Sequence, residues 1–419
     1  MSAGEPATFT QPSASPIPSD ILSDDEYDSD EPPPLVLDFH ALKRRASLAL
    51  ERTCTHWRKL TKGRYHEIFV LFFAADKNAP GISKAGYAPE AGWSCIARVS
   101  RGNEDVEKLL SEVATMEYVR KQISIPVPEI YTFDFSPQNT VGAQFMLMER
   151  LPGRHLYQLW DGLTLRHKKS VLSDIASAVT QLGKLKFDKI GCLGLYGEVG
   201  PLLCRMGDGA GGERTYTVGP FESTLDYLLS FVNAQSDRSE VFSEVEAVLE
   251  SHMSAHSHSR SLTAPFRLIH ADFDAQNLLF TEPDLDNNRP PRISGIIDWE
   301  YAYTGPAYFL YEYPIFIQDS DDNKGAYADN VILRRHFVRS LCRCFPKGSI
   351  DRADVKTSMK KNYTLNWFGG VFIRMAGGFP LESLKMLGRE YVSDARNGTG
   401  KTYQGRMDYV SDEEVLSDD

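Results

Sequence analysis

The chain is 419 residues long, enough for two lobes or domains, and its 42% apolar and 11% aromatic content supports a real core. It holds no apolar run of about 18 residues, so no membrane span is expected, and its N-terminus lacks the basic-then-apolar pattern of a secretory signal. The net charge of −11 sits at the ends: residues 1–40 hold nine acids and residues 407–419 six, neither holds a Lys or Arg, and the body is left at +4, so the overall acidity says nothing about the interior of a site.

Residues 1 to about 35 are rich in Ser, Pro and Asp and poor in large apolar side chains, so they are predicted disordered, with the tail ending at residue 40; residues 400–419 have the same character. Ser23-Asp24-Asp25-Glu26 and Ser411-Asp412-Glu413-Glu414 place an acid three residues after a serine, as acidophilic kinases require, although solubilising tails explain the composition more simply. The body divides into a first lobe, 41–150, and a second, 151–399. Trp57–Leu60 and Glu67–Ala74 read as strands joined by a turn with Gly63 at its tip between Lys62 and Arg64. Such a turn is an ordinary hairpin or a cover for phosphates, with backbone N–H groups and positive charge. Trp93–Val99 reads as the next strand. Arg98 lies inside its apolar run, where a cation needs a partner. The helix that follows carries Val106, Leu109, Leu110, Val113 and Met116 on one stripe. Glu112 flanks that stripe and Glu117 points toward it; periodicity does not choose between them.

Val141–Met148 reads as a strand running into Glu149-Arg150-Leu151-Pro152-Gly153. Thr164–Phe187, Ser223–Ala234 and Glu240–Met253 read as amphipathic helices, and Gly207–Glu213 as a flexible loop. His252, His256 and His258, near Arg260, read as a solvated Ser-rich connector rather than a metal site. Later helices are predicted over Val331–Phe345 and Asp354–Met375, with a loop around Gly369-Gly370. Six scattered cysteines (Cys54, Cys95, Cys192, Cys204, Cys342, Cys344) form no C-x-x-C pair, which argues against structural zinc and for a reduced, cytoplasmic protein. No Lys/Arg cluster with interleaved aromatics stands out, so a nucleic-acid partner is not expected.

The most informative stretch is His270-Ala271-Asp272-Phe273-Asp274-Ala275-Gln276-Asn277, bracketed by the apolar runs Phe266–Ile269 and Leu278–Phe280; Asn277 is followed after 21 residues by Asp298, in Ile296-Ile297-Asp298-Trp299. The polar residues thus sit on turns between short buried strands. Asp, Asn and Asp in this order suit phosphoryl transfer: one carboxylate, Asp272, receives a hydroxyl proton, while the amide of Asn277 and the carboxylate of Asp298 hold magnesium against nucleotide phosphates. The bland alternative makes His270 a core histidine and the acids loop punctuation. Glu300 shares a side with Asp298 if the chain is extended there, and would then reach a second metal or a cationic substrate. Thr281–Arg292, polar and Pro-rich, reads as a surface insertion that leaves the site intact.

These segments resemble the aminoglycoside phosphotransferase and choline kinase-like family, most closely its fungal-type members, which carry H-G-D-x-x-x-x-N and then apolar-Asp-Trp or apolar-Asp-Phe. Here the residues are His270-Ala271-Asp272, Asn277 and Ile297-Asp298-Trp299. The likeness extends to Leu110–Met116 with Ile125-Pro126-Val127-Pro128, and to Phe145–Gly153, over roughly residues 50–320. It implies an α+β, protein-kinase-like two-lobe fold with a small antiparallel-sheet N-lobe and a mainly helical C-lobe. It also selects Glu112 as the partner of Arg98 at the α- and β-phosphates, where bacterial members carry Lys. The turn at Gly63 becomes the nucleotide-covering loop, and the C=O of Glu149 and N–H of Leu151 read adenine. The expected activity is ATP- and Mg2+-dependent transfer to an unknown small hydroxylated acceptor. The alternative is a nucleotide-binding pseudokinase or scaffold without turnover. A protein kinase is disfavoured by the single glycine of the phosphate turn and the absence of Asp-Phe-Gly and Ala-Pro-Glu.

Overall fold

In the computed structural model the described residues are 35–63, 65–74, 93–207, 213–234, 240–257, 262–284, 287–318, 329–359, 368 and 381–397. Helix α1 (Phe39–Leu50) opens the folded part, and its N-cap is Asp38, whose carboxylate accepts the Ala41 N–H at 2.8 Å. The acidic tail expected to run to residue 40 therefore overlaps a capped helix. Strands β1 (Cys54–Lys62), β2 (His66–Phe73) and β3 (Trp93–Ser100) follow, then α2 (Val106–Gln122), β4 (Ile130–Asp134) and β5 (Phe145–Glu149). The five strands form one antiparallel sheet in the order β1-β2-β3-β5-β4. Strand β5 starts later than the apolar run at Val141 suggests. The side chain of Asn139 accepts from the N–H groups of Val141 at 2.9 Å and Gly142 at 3.2 Å, and this turn outcompetes the strand.

The second lobe is mainly helical. It begins with β6 (Arg154–His155), α3 (Leu156–Trp160) and α4 (Leu165–Leu182), followed by the hairpin β7 (Leu202–Gly207) and β8 (Glu213–Val218). Thr164 caps α4 by accepting the His167 N–H at 3.2 Å, and Val171, Leu172, Ile175 and Leu182 are buried as the periodicity predicts. Each such side chain contributes about 1.5–3 kcal/mol of transfer free energy. Sequence reading saw only the Gly-rich loop and missed the strands on either side of it. Helices α5 (Thr224–Asn233) and α6 (Glu240–Ala255) come next. His252 is not in a solvated connector: it is buried on α6, with the His256 ring stacked on it at 4.3 Å, while His258 and Arg260 lie outside the described residues.

Short strands β9 (Arg267–Ile269), β10 (Leu278–Phe280), β11 (Ile293–Ile296) and β12 (Tyr303–Gly305) build the middle of the lobe. They form two small sheets, β11-β10-β6 and β12-β9, over a core that includes the fully buried Phe266, Phe280 and Trp299. The excursion between β10 and β11 is tied at its base, Thr281 N–H to the Arg292 carbonyl at 2.9 Å, so the strands remain paired despite it. Helix α7 (Ala307–Leu310), a 3-10 turn (Ile315–Ile317), α8 (Asn330–Arg343), α9 (Ile350–Ser358) and α10 (Leu381–Asn397) complete the lobe. The predicted Asp354–Met375 helix starts earlier, at Ile350, and α9 ends at Ser358; residues 360–367 and 369–375, Gly369-Gly370 among them, lie outside the described residues, as do residues 1–34 and 400–419. All six cysteines are free, and only Cys344 is exposed. Among the described residues no helix is long and apolar enough to cross a membrane.

Candidate active site

Pairing of β10 with β11 brings the motif residues together. Leu278 lies opposite Ile296, and the ladder continues one step further, Ile297 N–H donating to the Asn277 carbonyl at 3.0 Å. Asn277 and Asp298 thus stand at the adjoining ends of neighbouring strands although 21 residues separate them in sequence. His270, at the end of β9, is buried and bonds through Nε2 to the Ile297 carbonyl at 3.1 Å. Because a carbonyl only accepts, Nε2 carries the proton. Burial pushes the imidazole down to about 4, against the pull of Asp272, so the ring is neutral. Its ring also lies 4.5 Å from that of Trp299. The histidine therefore clamps the Asp272 turn to the Asp298 turn.

Within the first turn, the side-chain amide of Asn277 donates to Asp272 Oδ2 at 2.8 Å and to the Asp272 carbonyl at 3.0 Å, and Gln276 Nε2 reaches the same carboxylate oxygen at 3.3 Å. Asp272 is exposed and Asn277 buried. Ala271 has φ 68°, a left-handed conformation that a Cβ disfavours.

Arg98 lies at the centre of the other half of the site. It is buried and pairs with Glu112. It also approaches His66 Nδ1 at 3.2 Å, Glu300 at 3.2 Å and Asp298 at 3.4 Å. Burial opposes its charge, but the carboxylates of Glu112, Asp298 and Glu300 outweigh this and raise its pKa. Glu117 is half-exposed and bound to Lys121 at 3.1 Å, so the ambiguity left by periodicity resolves to Glu112. The chain is not extended at Asp298: φ is 63° there and 59° at Tyr301, and Glu300 comes beside Asp298 because one guanidinium reaches both.

Sequence reading missed Lys108, Glu104 and His66. Lys108, buried on α2, pairs with Glu104 and reaches Glu300 at 2.7 Å, and His66 Nε2 lies 2.7 Å from Glu104. A lysine on a helix normally reads as solvated; the available signal was its place one turn before Glu112 on the same face. The cluster sets two permanent cations, Arg98 and Lys108, against four carboxylates, Glu104, Glu112, Asp298 and Glu300. Burial, together with Glu300, Glu112 and Asp272, outweighs Arg98 and pushes the Asp298 carboxyl up to about 7. An excess of negative charge with hard oxygen donors from Asp298 and Asn277 fits a divalent cation such as magnesium.

The remaining expected positions lie further out. Gly63 closes the β1–β2 turn, its N–H on the His66 carbonyl at 2.8 Å, while Arg64 and the side chain of Lys62 lie outside the described residues. Glu149 ends β5, and its carboxylate accepts from Arg120 at 3.3 Å and from the Glu129 N–H at 3.2 Å. Leu151 follows in the connector and packs near Gly295. That connector ends at Gly153, φ 106°, where a Cβ would meet the Phe280 carbonyl oxygen at 2.5 Å. Only glycine lets the connector pass so close to β10, the strand that leaves the Asp272 turn.

This lobe arrangement with clustered acids is of the kind phosphoryl transfer requires. The chain belongs to the phosphotransferase enzyme family (APH), whose profile matches residues 88–309. It is 29% identical over 140 residues to a subtelomeric hrmA-associated cluster protein of Aspergillus fumigatus, a match covering 33% of this chain and 25% of the relative. It is 25% identical over 257 residues to clavilactone A biosynthesis cluster protein Y of Ampulloclitocybe clavipes, covering 55% and 60%. The chain thus matches only a quarter to three-fifths of these relatives' own lengths. Among solved structures it is similar to ADP-bound aminoglycoside phosphotransferase APH(2'')-Ib, at 14% identity and a TM-score of 0.48, covering 86% of this chain and 99% of that one.

Proposed function

We propose that this protein transfers the γ-phosphate of ATP, with magnesium, to a hydroxyl of a small molecule in the cytoplasm. The observation that carries the reading is the convergence of Asp272, Asn277 and Asp298 on adjoining turns, with Arg98 reaching the third of them. Asp272 receives or orients the acceptor proton, a role that contributes typically ~10²–10⁴ in rate. Asn277 and Asp298 would hold magnesium, which when bound neutralises charge on the phosphates. Arg98, braced by Glu112, faces the α- and β-phosphates, and the backbone at Gly63 covers them. The Glu149 carbonyl and Leu151 N–H read adenine at the boundary between a nucleotide-binding lobe, 41–150, and an acceptor lobe, 151–399.

The test is MgATP consumption across a library of small alcohols, amines bearing hydroxyls and sugars, with Asp272→Asn as background. Consumption that depends on one acceptor and disappears in the variant supports the assignment. Turnover that survives the substitution on a true acceptor overturns it. The second reading, a nucleotide binder without turnover, draws on Arg98, which contacts Asp298 at 3.4 Å in place of the lysine of bacterial members. MgATP binding with no acceptor-dependent turnover would favour it.

A further inference from the structure

We infer that Lys108 is a positioning residue for the metal-binding turn, acting on Asp298 through Glu300; the inference rests on the phosphotransferase reading above. Its ammonium is buried, 2.7 Å from Glu300, paired with Glu104, and 5.0 Å from the centre of the Tyr301 ring. Burying a lysine this fully is costly unless its partners are fixed. The partners stand where the backbone needs support: Glu300 lies between Asp298 and Tyr301, both held at positive φ. One ligand atom each from His66, Glu104 and Glu300 lie within 4.8 Å of one another, a grouping that suits a cation. The Lys108 ammonium already neutralises that grouping from within the fold. Helix α2 therefore has two grips on the site. Glu112 fixes Arg98, and Lys108, one turn earlier on the same face, fixes Glu300. Arg98 closes the square by touching Glu300 as well. With Asp298 holding a metal, the Lys108–Glu300 bridge would keep the turn in place against α2.

Simple electrostatics and positioning predict opposite signs for Lys108→Met and the same sign for Glu300→Gln. Removing a positive charge near a metal strengthens metal binding, and removing a negative charge weakens it. If Lys108 positions the turn, Lys108→Met and Glu300→Gln both weaken it, because groups that orient metal ligands typically contribute 10- to 100-fold in affinity. The experiment titrates MgCl2 into the full chain with a fluorescent mant-ATP and reads the midpoint, with the fold of each variant checked by circular dichroism. The expected result is a rise of roughly 10- to 100-fold in both single variants, with the double variant no worse than the weaker single one, and recovery to within about threefold in Lys108→Arg. A midpoint in Lys108→Met that falls, or stays within about twofold of the parent, overturns the inference while leaving the phosphotransferase reading intact. If Lys108→Met does not fold, the neutral but polar Lys108→Gln carries the test, and a midpoint there that falls or stays unchanged overturns it. A parent chain that binds no mant-ATP at any magnesium concentration overturns both readings.

Discussion

Asn277 holds Asp272 by two bonds from one amide nitrogen, to the carboxylate at 2.8 Å and to the carbonyl at 3.0 Å. The amide nitrogen is thereby committed to the neighbour, and under the proposed role the amide oxygen is the end that would serve a cation. Asn277→Ala removes both functions at once. It is expected to lower kcat by about 100-fold or more, as loss of an oriented electrostatic group does, with the fold retained. Steady-state kinetics on an acceptor found by the screen, with thermal melting as the control, measures this. A variant with turnover near that of the parent would contradict the assigned role.

Arg98 touches Glu112, His66, Asp298 and Glu300 with one planar group. A lysine has a single ammonium and cannot span these partners. Arg98→Lys, although it restores the residue of the bacterial pattern, is therefore expected to raise KM for MgATP about tenfold or more and to lower stability by about 1–3 kcal/mol, since buried carboxylates lose a partner. An unchanged KM together with an unchanged urea midpoint would show that the fork geometry is not used.

Ala271 stands where the resembled pattern has glycine, and its φ of 68° explains that preference. Ala→Gly elsewhere costs about 0.5–1 kcal/mol through backbone entropy. Here relief of a left-handed Cβ, worth roughly 1–2 kcal/mol, opposes that cost. Ala271→Gly is expected to leave stability unchanged or raised by up to about 1 kcal/mol, with turnover retained. A loss of 1 kcal/mol or more in urea denaturation would show that the methyl group packs usefully.

How much of this was legible in the sequence depends on what each residue's signal was. The Asp272 turn was readable because two apolar runs bracket it, and β3, α2, α5 and α6 followed from periodicity. The Arg98–Glu112 pair needed the family likeness, since Glu112 and Glu117 both suit the stripe and only tertiary packing separates them. Lys108, Glu104 and His66 were invisible because each is an ordinary polar residue on a surface-forming pattern. Their burial arises only where β2, α2 and the Asp298 turn meet. The backbone at Asp298 stayed open, extended or not, because nothing in Asp298-Trp299-Glu300-Tyr301 announces two positive φ values. Such conformations depend on tertiary surroundings, and here Arg98 and Lys108 contact the turn.

Burial also sets a pH response in the stability of the fold. On α6, burial and, to a lesser extent, the neighbouring His256 push the His252 imidazole down to about 4; burial does the same to His270. An unfolded chain protonates these groups near 6.5. Between about 6.5 and 4 these two histidines therefore bind more protons in the unfolded state than in the folded one, and their contribution to stability is lost as pH falls through that window. Each group accounts for up to about 3 kcal/mol, with a slope approaching about 1.4 kcal/mol per pH unit. His252→Asn removes one titrating group far from the Asp272 turn in sequence. Its urea-unfolding free energy is expected to fall less steeply between pH 7 and pH 5 than that of the parent. Equal slopes in the two proteins would mean that His252 carries the same charge folded and unfolded, and would remove it from the acid response.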